Sequence, residues 1–462
     1  MKFSISNLGA IDHAEVELGD LTLICGENNS GKTYVTYAIY GFLQYWHKDF
    51  QPRLPDSLLV QFRDHGVVDF SLEDYVNNPA EILVAACEEY RTKLPDVFAT
   101  FPLRFKDTVC TAVVESAAGI LEESFERLFR VGEVDVAVSK ASGSLLLQAV
   151  VVSDSGKRFR IPPAISRRII GDVIKEIVFS KTLPRPFIIT AERSGAALFS
   201  GALRNGYIGQ SEESISVEDA DDDESISSSD RIADYPLPIK QNIEFADCHE
   251  FHIKRRLGFL AAEKHILLEF DELLGGVLAL DEEGRLVYRP AATQVSLFPE
   301  ETSSSVKSLT DLGVYLTSVA KPNDLLIIDE PELSLHPKNQ RRVARLLARI
   351  ANAGIRLLVT THSDYIVKEL NLLVLMHQGD DRIRQIAEQE RYHRSETLSA
   401  ESIKVYVAQA TLRETSADAQ GSRGFSLINV PVTEERGIQI RSFDETIHDM
   451  NRVEDRLLYG EP

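Results

Sequence analysis

A chain of 462 residues is too long for one ordinary hydrophobic core, which points to two or more domains or to one domain with large insertions. A formal charge of -21 argues against coating nucleic acid through bulk positive charge, so nucleic-acid contact would need a local basic surface. Cys25, Cys87, Cys110 and Cys248 are widely spaced, with no C-x-x-C pair, which favours reduced thiols in a cytoplasmic protein over a disulfide framework.

From the N-terminus, "MKFSISNLGAIDHAEVEL" alternates like a strand and lacks the apolar core of a signal peptide. No apolar run is long enough to span a bilayer, so no membrane association is expected. Three short strands precede "GENNSGKT" and a helical "YVTYAIYGFLQYW". Residues 47–131 read mostly as a helical insertion, including "ESAAGILEESFERLF", with apolar residues three and four apart. Residues 132–200 begin as a β meander with Gly-containing turns and end, after a helix, in the strand of "PFIITAERSG". Within 201–240, residues 211–230 are rich in acids and serines with no lysine or arginine, the composition of a mobile loop. A helical segment, 241–275, leads to a hairpin turning at Glu283 and Gly284. "LLIIDEPELSLHP", an amphipathic helix and "IRLLVTTHS" then form a strand, helix, strand unit with parallel strands, all within 276–378. Residues 379–462 read as a small α+β tail with an exposed helix at "DDRIRQIAEQE" and a further helix over 444–458.

Three motifs carry chemistry. Gly26-x4-Gly31-Lys32-Thr33, between an apolar strand and a helix, is a phosphate-binding loop. Its backbone N–H groups at Asn28, Asn29, Ser30 and Gly31 supply donors, Lys32 reaches the β and γ phosphates, and Thr33 is a ligand for Mg2+. Asp329 ends an apolar strand, which makes it the metal partner, and Glu330 is placed to orient or deprotonate an attacking water. The next parallel strand should bring His362 to the same carboxyl edge as a γ-phosphate sensor.

Together "GENNSGKT", "LLIIDEPELSLHP" and "VTTHSDYIVKELN" resemble the ABC-type ATPases of the SMC and RecF kind. More closely they resemble the overcoming-lysogenisation-defect (OLD) ATPases and related phage-defence ATPases. The resemblance covers about 50 N-terminal residues and about 100 from Thr302 to Leu375. It implies an α/β P-loop NTPase head of the ABC type, with an antiparallel β subdomain and helical insertions, whose two copies sandwich ATP and Mg2+. Ser303, Ser304 and Ser305 stand where the family has its signature and would touch the partner's ATP, unless they are merely an N-cap. "ELSLHP" matches the D-loop, which makes Glu332, Ser334 and His336 interface residues. Glu192 and Arg193 occupy the Q-loop position without its glutamine, as contacts to Mg2+, water or the partner, or as a surface ion pair. Arg341, Arg342, Arg345 and Arg349 form a basic helix face, solvated or able to touch nucleic acid. The absence of long heptad runs argues against a long DNA-tethering arm. No cluster of acids ending apolar strands in the tail marks the Toprim-type nuclease that OLD proteins carry. The resemblance implies an ATP-hydrolysing homodimer or higher oligomer. It would serve as sensor, motor or scaffold beside a separate effector in anti-phage defence. The alternative is a DNA repair or recombination ATPase acting directly on DNA.

Overall fold

The computed structural model describes residues 1–114, 122–132, 134–152, 161–196, 235–255, 258–293, 295–412, 423–440 and 450–457. Strands β1 (Lys2–Leu8) and β2 (Ile11–Glu17) alternate buried and exposed positions, whereas β3 (Leu21–Cys25) is buried throughout. Alternation suits a strand with one wet face, and continuous burial one covered on both. After β3 the chain turns at the Gly-rich stretch into a helix, Lys32–Lys48. The described chain divides into two units, one comprising residues 1–4, 41–93 and 109–185 and the other 5–40, 94–108 and 186–462.

In the first unit lie strands β4 (Val67–Ser71), β5 (Val109–Val113), β6 (Phe125–Val131), β7 (Val134–Lys140) and β8 (Leu146–Val152). Four of them form an antiparallel sheet in the order β4-β8-β7-β6, and β5 packs on the helix Pro79–Arg91. Val134, Val136 and Val138 point to its buried face, and Trp46 stacks on Phe50 with its ring centroid 5.1 Å away. Of the helix expected over residues 115–129, the stretch from Phe125 belongs instead to β6, and residues 115–121 lie outside the described residues. Val131 pairs with Val134 across a turn at Gly132, whose φ of 63° suits glycine, and cross-strand pairing overrides the local helical spacing.

The second unit carries β9 (Pro186–Ile189), the hairpin β10 (Gly276–Leu280) and β11 (Leu286–Pro290), then β12 (Leu325–Asp329), β13 (Arg356–Thr361), β14 (Ile403–Leu412) and β15 (Arg423–Val430). Its main sheet runs β1-β2-β15-β14-β3-β13-β12-β9, and the five strands from β14 to β9 are parallel. One face of these strands, with Leu23, Ile328, Val359 and Val405, packs on Phe270, Leu309, Leu347 and Leu370 from helices Lys264–Leu274, Ser304–Val314, Pro337–Asn352 and Asp364–Leu375.

Residues 379–462, read as a small α+β tail beyond the ATPase head, contribute strands to its main sheet. β14 lies in the sheet beside β3, with Val405 opposite Leu23 and Val407 opposite Cys25. Buried Ile403, Val405 and Val407 join the core, and the ladder satisfies N–H and C=O groups that β3 would otherwise leave bare. Residues 211–230 fall outside the described residues, as do 444–449 and 458 of the helix expected over 444–458, whose described part, 450–457, is helical. Among the described residues no helix is long and apolar enough to cross a membrane.

Candidate functional site

The parallel register sets the site at the carboxyl ends of β3, β12 and β13, where open α/β sheets place their ligands. Cys25 is level with Thr361, and Asp329 with Thr360. Beyond Cys25 the backbone takes φ values of 150° at Gly26, 61° at Asn29 and 85° at Gly31. A Cβ on Gly31 would come 2.6 Å from the Ile11 Cδ1, so both conformation and space demand glycine. Ser30 Oγ donates to the Glu27 carbonyl at 2.7 Å, closing the loop over the start of the Lys32–Lys48 helix. Lys32 is buried, and its Nζ donates to the carbonyls of Gly26 at 2.9 Å and Glu27 at 2.7 Å. Burial holds its ammonium below the usual lysine range, against the pull of Glu330 and Asp329. An ammonium has three protons, so a third acceptor can be taken from the cleft.

Asp329 is buried at the end of β12. Its Oδ2 accepts from Thr33 Oγ1 at 3.1 Å and its Oδ1 from the Thr360 hydroxyl. Burial pushes its carboxyl up to about 6 although both hydroxyls oppose the shift. Thr33 and Asp329 thus form a close oxygen pair, the donor chemistry a hard divalent cation prefers, and they fit Mg2+.

Glu330 follows in the left-handed region, with φ 51°. Its amide donates to the Thr360 carbonyl at 3.1 Å, and its Oε1 lies 3.4 Å from His362 Nδ1. The imidazole also stands 3.4 Å from Glu332 Oε1. Asn28, Asn29, Ser30, Gly31, Lys32, Thr33, Tyr34, Glu330, Leu333 and His362 line one cleft of about 770 Å3. That lies within the ~300–1,000 Å3 common for small-molecule sites. A second cleft, of about 750 Å3, bordered by Asp74, Glu81 and Glu89, contains none of the motif residues.

Glu332 and Arg193 stand differently from their sequence reading. Glu332, expected at an interface, is buried and accepts from Thr361 Oγ1 at 2.7 Å and the His362 amide at 2.8 Å. Ser334 and His336 are exposed. Arg193 is neither a surface ion-pair partner nor a cleft residue. It is buried, and among the described residues it donates only to backbone carbonyls, including those of Asp329 and Glu330. Glu192 Oε2 accepts from the Tyr37 hydroxyl at 3.3 Å. Ser303, Ser304 and Ser305 are not brought to the cleft of their own chain. Ser303 caps the helix Ser304–Val314 through the Val306 amide, and its hydroxyl lies 2.8 Å from that of Ser305.

The basic helix face is largely neutralised. Arg341 pairs with Glu369 at 2.6 Å, Arg345 and Arg349 with Glu396 at 2.9 and 2.7 Å, and Arg342 with Glu272 at 3.6 Å. Sequence reading missed Thr360, Tyr34 and the buried roles of Arg193 and Glu332. The doublet "TT" before His362 was the available signal for Thr360, because Thr at the end of a buried strand needs a polar partner.

Residues 1–108 match a family model described as "AAA ATPase domain", and residues 150–368 one described as "AAA domain, putative AbiEii toxin, Type IV TA system". No curated protein matches the chain. Among solved structures, the SMC head domain from Thermotoga maritima is 12% identical with a TM-score of 0.32, covering 93% of this chain and 98% of its own. The Smc head domain from Pyrococcus furiosus, with an extended coiled coil and bound to the C-terminal domain of ScpA, is 14% identical with a TM-score of 0.33, covering 98% of each chain. Overlaps at these TM-scores do not decide the fold. The parallel order β14-β3-β13-β12-β9, with the phosphate loop after β3 and Asp329 ending β12, is that of an α/β P-loop ATPase fold.

Proposed function

We propose that the chain binds ATP with Mg2+ and hydrolyses it. The observation that carries this reading is the gathering of Lys32, Thr33, Glu330 and His362 around one cleft with Asp329 at 3.1 Å from Thr33. Loop amides and the start of the Lys32–Lys48 helix receive the phosphates, and Lys32 spends its third proton on the β and γ oxygens. Thr33 and Asp329 would hold the cation, whose charge would offset that of the phosphates. Glu330 orients the attacking water and accepts its proton as the new oxygen–phosphorus bond forms and the bridging bond to ADP breaks. His362, aligned by Glu332, donates to the γ phosphate.

Two heads would sandwich the nucleotides, with Ser303 to Ser305 of one copy completing the other's site. The hydroxyls sit at a helix start, where N–H groups and dipole favour phosphate. The resemblance of "GENNSGKT" and "LLIIDEPELSLHP" to phage-defence ATPases supports a place in anti-phage defence, where this chain would be the nucleotide-driven sensor, motor or scaffold and a separate protein the effector.

Phosphate release by the wild type and Glu330→Gln tests the chemistry, with the variant expected to lose roughly 10^2 to 10^4-fold in rate while still binding nucleotide. An equal rate overturns it. Sizing Glu330→Gln with and without ATP tests the sandwich, since trapped nucleotide should turn monomer into dimer. Plaque counts in cells expressing the chain with its neighbouring genes test the defence role, which Lys32→Ala should abolish.

A further inference from the structure

An arginine in a protein interior must have its planar donors satisfied, or desolvation makes it costly. Arg193 is 2% exposed, and among the described residues its acceptors are all main-chain carbonyls. Nε donates to Ser308 at 2.8 Å, one terminal nitrogen to Thr190 and Asp329 at 2.9 Å each, and the other to Glu330 at 2.9 Å. Three separate elements meet on this one side chain: the end of β9, the end of β12 and the helix Ser304–Val314. Nothing in them requires a cation, since carbonyls can be paired by amides. What the guanidinium adds is a rigid fork with donors in several fixed directions.

Its placement coincides with backbone strain. Glu330 has φ 51°, a conformation that non-glycine residues rarely adopt and that surrounding structure must enforce. The peptide on its N-terminal side is held by Thr360, whose carbonyl and hydroxyl accept the Glu330 amide at 3.1 and 3.2 Å. On its C-terminal side Arg193 holds the Glu330 carbonyl. The left-handed turn swings the carboxylate out of the strand direction and over the cleft beside His362.

We propose that Arg193 is a positioning residue that fixes Glu330 for attack and ties its position to that of the helix Ser304–Val314. The inference rests on Glu330 acting on the attacking water. Because Ser308 lies three residues after Ser305, any shift of that helix reaches the Glu330 carbonyl through one side chain. Arg193 does not line the cleft, so it should act on turnover rather than on nucleotide affinity.

The test measures fluorescent-ATP binding and single-turnover hydrolysis for wild type, Arg193→Lys, Arg193→Ala and Glu330→Gln. Arg193→Lys keeps the charge and most of the buried volume, so it carries the test if Arg193→Ala does not fold. Its Kd should match wild type while hydrolysis falls roughly 100-fold, the scale of a misplaced catalytic group. In a folded Arg193→Ala protein, millimolar guanidinium should restore part of the rate without changing Kd. Arg193→Lys at wild-type rate, with Glu330→Gln inactive, overturns the positioning role and leaves the hydrolytic reading standing. A Kd that rises as far as the rate falls overturns it too, marking a merely structural residue. Glu330→Gln at wild-type rate overturns the hydrolytic reading and this inference with it.

Discussion

The carboxylate of Glu332 accepts the backbone amide of His362 at 2.8 Å and stands 3.4 Å from the same residue's Nδ1. The oxygen involved also takes the Thr361 hydroxyl, so one buried group fixes both the end of β13 and the face the imidazole presents. His362 is thereby set between two carboxylates, Glu330 on the cleft side and Glu332 behind.

Removing that group should be felt first as stability. Glu332→Ala leaves the His362 amide and the Thr361 hydroxyl without their acceptor, at a cost of roughly 1–3 kcal/mol. Glu332→Gln keeps one acceptor oxygen and should lose less. Urea unfolding reads both as a lower midpoint at unchanged slope, and an unshifted midpoint for Glu332→Ala would contradict the contact.

Asp329 makes a pH-dependent prediction with two signs. Its folded pKa, about 6, exceeds the ordinary carboxylate value because it is buried. The folded protein therefore holds this proton more tightly than the unfolded chain. The residue's contribution to stability is present below the unfolded value of ~3.9 and is lost as pH rises through about 6, by roughly 1–3 kcal/mol. Asp329→Asn should remove that slope from the pH profile of thermal unfolding. Mg2+ binds the ionised carboxylate, so Mg2+-dependent nucleotide affinity should rise by up to about tenfold per pH unit below 6 and then level off. A flat wild-type profile between pH 5 and 7 would refute the assignment.

Sequence carried the local parts of this site and not the distant ones. "GENNSGKT" announces itself because its chemistry lies within eight consecutive residues, and Asp329, Glu330 and His362 follow from where apolar strands stop. Arg193 could not be read so, because its acceptors come from residues 115 and 136 positions away in the chain. An arginine in "TAERSG" looks like surface charge until tertiary structure closes over it. Glu332 was hidden by the same effect, and β14 by its distance along the chain from β3, with Ile403 opposite Leu21 the first paired rung. Phe125–Val131 went astray in the other direction, with helical spacing that cross-strand pairing overrules.

Gly31 tests the loop without touching any charge. Its φ of 85° and the 2.6 Å between Ile11 Cδ1 and the place a methyl group would occupy leave Ala neither the conformation nor the room. Gly31→Ala should rotate the amide that faces the phosphates and cost nucleotide affinity, by roughly tenfold or more for each 1.4 kcal/mol of strain transmitted. Calorimetric titration with ATP checks this, and wild-type affinity would show that the loop relaxes freely.

The network around Glu396 predicts stability without catalysis. Its Oε1 accepts from Arg349 at 3.1 and 2.7 Å, and its Oε2 from Arg345 at 2.9 Å and the His393 amide at 3.0 Å. Burial pushes its pKa up, but the Arg345 and Arg349 bonds prevail and hold it below the ordinary value. The stabilisation is accordingly present above the unfolded carboxylate pKa of ~4.3 and is lost as pH falls through the lower folded value. Glu396→Ala leaves two guanidiniums at a buried site, where loss of one partner costs roughly 3–5 kcal/mol. The triple replacement of Glu396, Arg345 and Arg349 by leucine or methionine should recover part of it, because both guanidiniums go with their carboxylate and only Glu269, 3.8 Å from Arg349, loses a partner. None of the three lines the nucleotide cleft, so folded protein of either variant should bind ATP as wild type does. Denaturant midpoints beside nucleotide titrations decide this, and a triple variant no more stable than Glu396→Ala would locate the cost in lost packing rather than in the orphaned charges.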